Sequence, residues 1–356
     1  MMGVSTGSLL LEKASERFRY FAKKIYNDRS LLYMNLAQRV AEDPQVLGIA
    51  AATHDKAALP NLFFAAVHLL LLNGEGHQLA GFYPTLHSDT RHHDYSSVYP
   101  HFRNFALEHE KEIREVMRTH TVQTNEVGRC ALLIPAFELV ADQTDHQPLN
   151  MIEIGSSAGL TLPWDKYHYR YGESLECGDP NSPVRIECSL RGDLQPPIPK
   201  ELPRVAIRKG IDLSPIDLTD PDSVQWLRAL VWPDNPRRAT LLEHAVQLAK
   251  QNPPDIMTGN ALELLPGLIK KVPEREPLCI YHSFTLTFAN KEQQERLHRL
   301  LTNAAKARAL FLVWLEWPTE SDTPILGLEK FIDGVKEEKI LARCHSHGEW
   351  LQWKAA

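Results

Sequence analysis

Residues 151–160, MIEIGSSAGL, carry the clearest chemical signal in the sequence. Met151, Ile152 and Ile154 form a short apolar run, which is interrupted only by Glu153 and stops at Gly155. Glycine accepts backbone angles that other residues resist, and it lets a ligand approach the main chain closely. The pattern predicts a buried strand followed by a glycine turn, which in an α/β fold is the usual place to bind a nucleotide.

The spacing of the glycines narrows the choice of nucleotide. A dinucleotide fingerprint would need glycine where this chain has Ser157 and Leu160. The pattern resembles instead the first motif of class I S-adenosylmethionine-dependent methyltransferases. In that motif an acidic residue is followed by a spacer, a glycine and, four residues later, a second glycine. Glu153, Gly155 and Gly159 match that motif, and Ser157 replaces its middle glycine. A purely structural strand and turn is the alternative.

The resemblance implies S-adenosylmethionine as the cofactor. The turn would border its methionine part, and the acidic residue would orient its amino group. The cofactor-binding residues predicted here are Glu153, Gly155, Ser156, Ser157 and Gly159.

Two later segments supply polar groups for the rest of an adenosine. Asp212 ends the strand-like piece around residue 206, and its carboxylate suits both ribose hydroxyls; Asp217 is the competing candidate. Asn260 follows a short strand, and its amide, with the backbone of Ala261, could read the adenine edge. Capping of the next helix by Asn260 is an equally good interpretation and is compatible with the first.

Candidate catalytic residues end two further apolar strands. His282 follows residues 277–281 and is the best general base by its ordinary pKa, and Glu316, after residues 309–315, is the second. Polar and aromatic residues nearby could line an acceptor pocket, although core packing for the aromatic ones and helix capping near residue 125 are the simpler interpretations. The predicted substrate-pocket residues are Asn125, Arg129, Trp164, Tyr167, Ser283 and Trp317.

The order of elements predicts the fold that must position these residues. Strands near residues 152, 206, 256, 280 and 312 alternate with helices, which is typical of an α/β, mostly parallel sheet with helices on both faces. Helical periodicity dominates residues 1–149, so we expect a helical N-terminal cap or substrate domain before a Rossmann-like domain at 150–356. Other predicted elements are an inserted hairpin at about 172–203, a helix near 326–335 and a closing hairpin at 339–344 and 349–353.

Five motifs resemble a bacterial family known as domain of unknown function 2332: QTNEVGRC, EIGSSAGL with WDKY, GIDLSPID, WPDN and GNALELLP. The resemblance covers nearly the whole chain. It implies a class I methyltransferase-like domain behind a helical N-terminal domain, but no established substrate or reaction.

Composition indicates which partners and which cellular compartment to expect. The net charge of −6 disfavours nucleic acid and favours a small-molecule substrate. Five scattered cysteines predict reduced thiols in the cytoplasm, and no targeting or membrane-spanning segment is visible. The His-rich residues 87–101 match no standard zinc spacing. Cys344, His345 and His347 could be metal ligands, but a hairpin tip is the commoner explanation, so we predict no metal site.

The sequence as a whole predicts a methyltransferase that uses S-adenosylmethionine on an unknown small molecule. A non-catalytic nucleotide- or metabolite-binding protein with the same fold is the alternative. An NAD-dependent reductase is third, because its glycine pattern is broken. The oligomeric state is not readable from the sequence.

Overall fold

The computed structural model of the chain describes residues 6–51, 58–74, 76–87, 94–123, 125–318 and 320–355. Its contacts divide the chain into two compact units. The first unit contains residues 1–124 and 220–240, and the second contains residues 125–219 and 241–356. The first unit therefore ends earlier than the predicted boundary at residue 149, and it takes in a segment that the sequence analysis placed in the second domain.

The described helices and strands follow in chain order. The helices are α1 Thr6–Tyr20, α2 Leu31–Val40, α3 Pro44–Ala50, α4 Leu59–Leu72, α5 Val98–Glu108, α6 Glu110–Thr119, α7 Cys130–Asp142, α8 Pro221–Leu230, α9 Pro236–Gln251, α10 Ala261–Lys271 and α11 Lys291–Ala304. The strands are β1 Leu149–Ile154, β2 His168–Tyr171, β3 Leu175–Gly178, β4 Arg185–Leu190, β5 Val205–Asp212, β6 Ile256–Thr258, β7 Leu278–Ser283, β8 Leu310–Glu316, β9 Ile325–Ile332, β10 Val335–Cys344 and β11 Trp350–Trp353.

The first unit is helical and packs around α4. Phe63 and Phe64 of this helix are fully buried and make edge-on ring contacts with Phe18 and Phe102. The sequence of α4 is apolar nearly all round, so the helix needs neighbours on every side. No helix in the described part of the chain is both long enough and apolar enough to cross a membrane.

The second unit is built on one mixed sheet of eleven strands in the order β3-β2-β4-β11-β10-β9-β8-β7-β1-β5-β6. The strands from β6 to β8 in this order are parallel, as predicted. Numbered along the chain, these parallel strands have the order 3-2-1-4-5, so the topology reverses between β1 and β7. All six positions of β1 are buried, because strands flank it on both edges and helices cover the sheet.

Helices pack on both faces of this sheet. On one face, Leu265 of α10 and Leu297 of α11 share a core with Ile280 and Leu312. On the other face, Phe137 of α7 contacts the Tyr281 ring edge-on at 5.2 Å. An α/β fold with a mostly parallel mixed sheet is therefore confirmed.

The predicted helix near residues 326–335 is wrong. This segment contains β9, which pairs antiparallel with β8 on one side and β10 on the other. Leu326 and Leu328 lie two residues apart on one face, and Gly327 between them leaves room for the Trp314 ring. Pairing and packing on both sides outweigh the local helical appearance. The closing hairpin of β10 and β11 is confirmed.

The inserted segment also differs from the prediction. Both of its predicted strands exist as β3 and β4, but they do not form a hairpin with each other. Instead β2 lies between them, antiparallel to β3 and parallel to β4. The strand β2 was not predicted, since the alternating aromatic residues at 168–171 also suit a core segment.

Candidate functional site

The glycine turn after β1 is sharply bent. Gly155, Ser157 and Gly159 all have positive φ angles, of 74°, 54° and 72°. The glycines also have no room for a side chain, since a Cβ at Gly155 would overlap Thr285 and one at Gly159 would lie 2.6 Å from Pro254 Cβ. Glycine at these two positions is therefore required by both angle and space.

Hydrogen bonds from other segments hold this turn. The Ser157 amide donates to Asp212 Oδ2 at 2.8 Å, and Asp212 Oδ1 accepts from the Ser214 amide at 2.9 Å. The Leu160 amide donates to Asn125 Oδ1 at 2.7 Å. The structure thus brings three predicted site residues together, and it uses their polar groups to fix the backbone of the turn.

Glu153 lies inside the sheet, only 2% exposed. Thr161 Oγ1 donates to its Oε1 at 2.5 Å, and Tyr281 Oη lies 3.4 Å from its Oε2. Burial raises the pKa of Glu153 to about 8, more than these hydrogen bonds lower it. At neutral pH the group is therefore largely protonated, and its two hydrogen-bond partners lie after β1 and on β7.

Asn260 caps α10. Its Oδ1 accepts from the Leu262 amide at 3.0 Å, and Ala261 is the first residue of the helix. The capping interpretation is therefore confirmed. Recognition of adenine by Asn260 and Ala261 stays a prediction.

His282 is the second-last residue of β7, and Glu316 is the last residue of the neighbouring strand β8. His282 Nδ1 lies 2.8 Å from Glu316 Oε1, and the same oxygen accepts from the amides of Thr285 and Leu286 at 2.8 and 2.9 Å. Burial on its own would raise the pKa of Glu316, but the hydrogen bonds and charge of His282 and these amides lower it below its ordinary value. Glu316 is therefore a carboxylate that orients the His282 ring.

The other ring nitrogen of His282 has a different environment. The side chain is 1% exposed, and Nε2 is buried without a hydrogen-bond partner among the described residues. When Nδ1 carries the proton that is donated to Glu316, Nε2 has a lone pair and can accept a proton. This arrangement is that of a general base held by a carboxylate.

A cavity of about 350 Å³ lies beside this pair. A second histidine–carboxylate pair, His298 of α11 and Glu329 of β9, also lines this cavity. His298 Nε2 lies 3.1 Å from the Glu329 carboxylate. The cavity is lined by His282, Leu286, Thr287, Gln294, His298, Leu312, Trp314, Glu316, Trp317, Pro318, Glu329 and Glu338. A larger cavity of about 450 Å³, near residues 162–166 and 248–255, contains none of the predicted site residues.

The predicted substrate-pocket residues separate into groups. Trp317 lines the smaller cavity and Ser283 ends β7. Trp164 and Tyr167 are fully buried in the core, where the Tyr167 hydroxyl donates to a backbone carbonyl at 2.6 Å. Arg129 is also buried, and its Nε donates to the Ser346 carbonyl at 3.0 Å.

Sequence reasoning missed Thr285, His298 and Glu329. Thr285 follows β7 and joins the two halves of the site, because its Oγ1 donates to the Ile154 carbonyl at 3.1 Å and its amide donates to Glu316. His298 lies four residues after Gln294 on α11, and both line the cavity. That helical spacing was a usable signal, whereas Glu329 was hidden by the wrong helix prediction.

Some of the residues considered as metal ligands lie outside the described part of the chain, and Cys344 lies in the core. His92 and His93 lie outside the described residues. Cys344 is buried in β10, where burial raises its thiol pKa strongly. All five cysteines lie in the described part, buried and without disulfides.

The fold and the site define an α/β protein whose mixed sheet carries a histidine–glutamate pair at the carboxyl ends of its parallel strands. The chain belongs to the family described as "Uncharacterized protein conserved in bacteria (DUF2332)", which matches residues 15–353. No curated protein and no solved structure matches the chain.

Proposed function

We propose that this protein is an S-adenosylmethionine-dependent methyltransferase with a Rossmann-like second unit, acting on a small molecule. The observation that carries the proposal is His282, a buried imidazole with one nitrogen bound to Glu316 and the other facing no partner, at the strand pair where the topology reverses. In open α/β sheets, ligands bind outside the carboxyl ends of the strands at that point.

The cofactor half of the site would lie at the ends of β1, β5 and β6. Asp212 would offer its carboxylate to the ribose hydroxyls, because it ends β5 and binds the amide of Ser157 in the glycine turn. Leu213 and Phe288, 75% and 82% exposed, are the most exposed large apolar side chains of the described residues, and both follow strands at this edge. Such side chains suit the faces of an adenine ring.

The catalytic half would use His282 Nε2. S-adenosylmethionine supplies an electrophilic methyl group when it is bound. His282 would remove a proton from the acceptor, and Glu316 would stabilise the imidazolium that results. The cavity beside the pair would position the acceptor next to His282.

Three observations favour the non-catalytic alternative, a nucleotide- or metabolite-binding protein. The turn at residues 155–159 is held by hydrogen bonds within the chain, and the Thr285 side chain lies against Gly155 where the methionine part would approach. Only one short turn, Trp164–Lys166, follows where a methyltransferase would have a full helix. Binding of the cofactor would therefore require residues 284–288 to shift.

A binding measurement separates these functions. We expect S-adenosylhomocysteine to raise the melting temperature of the full chain and to bind at one site by calorimetry, while NADH does neither. Methyl transfer is then tested with methyl-labelled S-adenosylmethionine and a bacterial metabolite extract, with mass spectrometry of the labelled products. Binding without any labelled product would support the non-catalytic alternative, and a shift with NADH alone would overturn the methyltransferase proposal and favour the NAD-dependent reductase.

Two variants assign the roles. Asn260→Asp keeps the oxygen that caps α10 but removes the amide donor, so we expect normal stability and weaker binding of S-adenosylhomocysteine. His282→Gln should keep cofactor binding and abolish transfer. If Asn260→Asp binds as tightly as the wild type, adenine is not read there.

A further inference from the structure

The hairpin between β10 and β11 gathers three potential metal ligands. His345, His347 and Glu349 alternate along its tip, and one donor atom from each lies within 4.8 Å of the other two. His345 Nδ1 is 3.5 Å from Glu349 Oε2, and the two imidazole rings are perpendicular with centroids 5.4 Å apart. This grouping uses Glu349, and Cys344 is not part of it.

The backbone of this tip is fixed from two directions. The His345 amide donates to the Trp350 carbonyl at 3.0 Å, and the Gly348 amide closes a turn onto the His345 carbonyl at 3.2 Å. From outside the hairpin, Arg129 Nε donates to the Ser346 carbonyl, and the tip packs so tightly on Gly128 that neither Gly128 nor Gly348 has room for a Cβ. The backbone that carries the two histidines is therefore held in place within the chain.

We propose that His345, His347 and Glu349 bind one zinc ion. Two imidazoles and one carboxylate form a donor set that zinc uses when a fourth position is left for water. Donor atoms on tetrahedral zinc are about 3.3 Å apart, so the three groups must approach slightly. Glu349 can make most of that movement, since its side chain is 55% exposed while that of His345 is 6% exposed.

A second group of similar residues in the described part provides an internal control. Glu138 and Asp142 of α7 and His146, four residues beyond its end, also have donor atoms within 4.8 Å of one another, but Asp142 and His146 are 53% and 61% exposed. This group has only one imidazole, and two of its three side chains are exposed. It represents the weak, nonspecific binding expected of surface carboxylates.

The experiment is calorimetric titration of zinc chloride into the chelator-treated full chain. We expect one equivalent to bind, with affinity reduced at least about tenfold by His347→Gln and by His345→Gln, less by Glu349→Gln, and not by His146→Gln. Zinc should also raise the melting temperature of the wild type but not of His347→Gln, because a ligand that binds only the folded state stabilises it.

Melting curves without zinc show which variants remain folded. His345 is buried, so His345→Gln could unfold locally, and the more exposed His347→Gln then decides the result. Absence of saturable binding by the wild type, or loss of binding in His146→Gln with retention in His347→Gln, would overturn the proposal. The cluster would then be only the ion pair of a hairpin tip.

Discussion

The glycine turn after β1 and the His282–Glu316 pair lie at the same edge of one sheet, but their polar groups are used differently. At the turn, the Ser157 and Leu160 amides and both Asp212 oxygens bond within the chain. At the pair, His282 Nε2 has no partner among the described residues, and a cavity lies beside it. The backbone of the recognisable motif is therefore held by hydrogen bonds within the chain, although the Ser156 and Ser157 hydroxyls have no partner among the described residues, and the less distinctive pair borders a cavity.

Two glutamates show the physical basis of this contrast. Glu153 receives two hydrogen bonds from hydroxyl groups, which do not offset burial, so its pKa rises to about 8. Glu316 is less buried, with 13% of its side chain exposed, and it receives bonds from His282 and from the amides of Thr285 and Leu286, so its pKa falls. The extent of burial and the number and charge of the donors together decide which of the two carboxyls stays ionised.

The largest effect is expected for Gly155→Ala. A left-handed φ angle costs an alanine roughly 1–2 kcal/mol, and overlap with Thr285 adds about 1–3 kcal/mol. We expect urea denaturation to show a loss of roughly 2–5 kcal/mol in the free energy of unfolding. Gly172→Ala is the matched control, since Gly172 has a φ of 57° but nothing within 4 Å, and it should lose only the angular part. Equal losses in both would mean that Thr285 yields easily and that the turn is open to ligands.

The sequence predicted the sheet better than the site. Alternation of buried strands and helices located the parallel strands, and the positions of His282, Glu316 and Asp212 at strand ends followed from it. What could not be predicted is which polar groups bond to each other, because Thr285 and Glu316 or Ser157 and Asp212 are distant in sequence and meet only after the strands are in register. The strand β9 was missed for the same reason, since its pairing with β8 and β10 is not local.

Glu153→Gln should have the next largest effect on the free energy of unfolding, and it should raise this free energy instead of lowering it. Above the unfolded pKa of about 4.5 the unfolded chain ionises while folded Glu153 keeps its proton, so the wild type loses stability as pH rises toward about 8. Glutamine accepts the Thr161 hydrogen bond without this loss. We expect the variant to exceed the wild type by on the order of 3 kcal/mol at pH 8 and to match it near pH 4. The exposed Glu337→Gln should reproduce the wild-type profile, and a similar profile for Glu153→Gln would show that Glu153 is ionised.

The smallest of the three effects on stability is expected for Glu316→Gln, which tests the carboxylate whose pKa is lowered. Charge-assisted hydrogen bonds from His282, Thr285 and Leu286 would weaken, at a cost of roughly 1.5–3 kcal/mol at pH 7. Because the folded pKa of Glu316 is lowered, its stabilisation is present above the unfolded pKa of about 4.5 and is lost as pH falls through the folded value. The difference between wild type and variant should therefore shrink in acid, whereas that for Glu153→Gln grows in alkali. If the Glu316→Gln variant is as stable as the wild type at pH 7, these hydrogen bonds do not hold the carboxylate in place. Glu316 would then not orient the His282 ring.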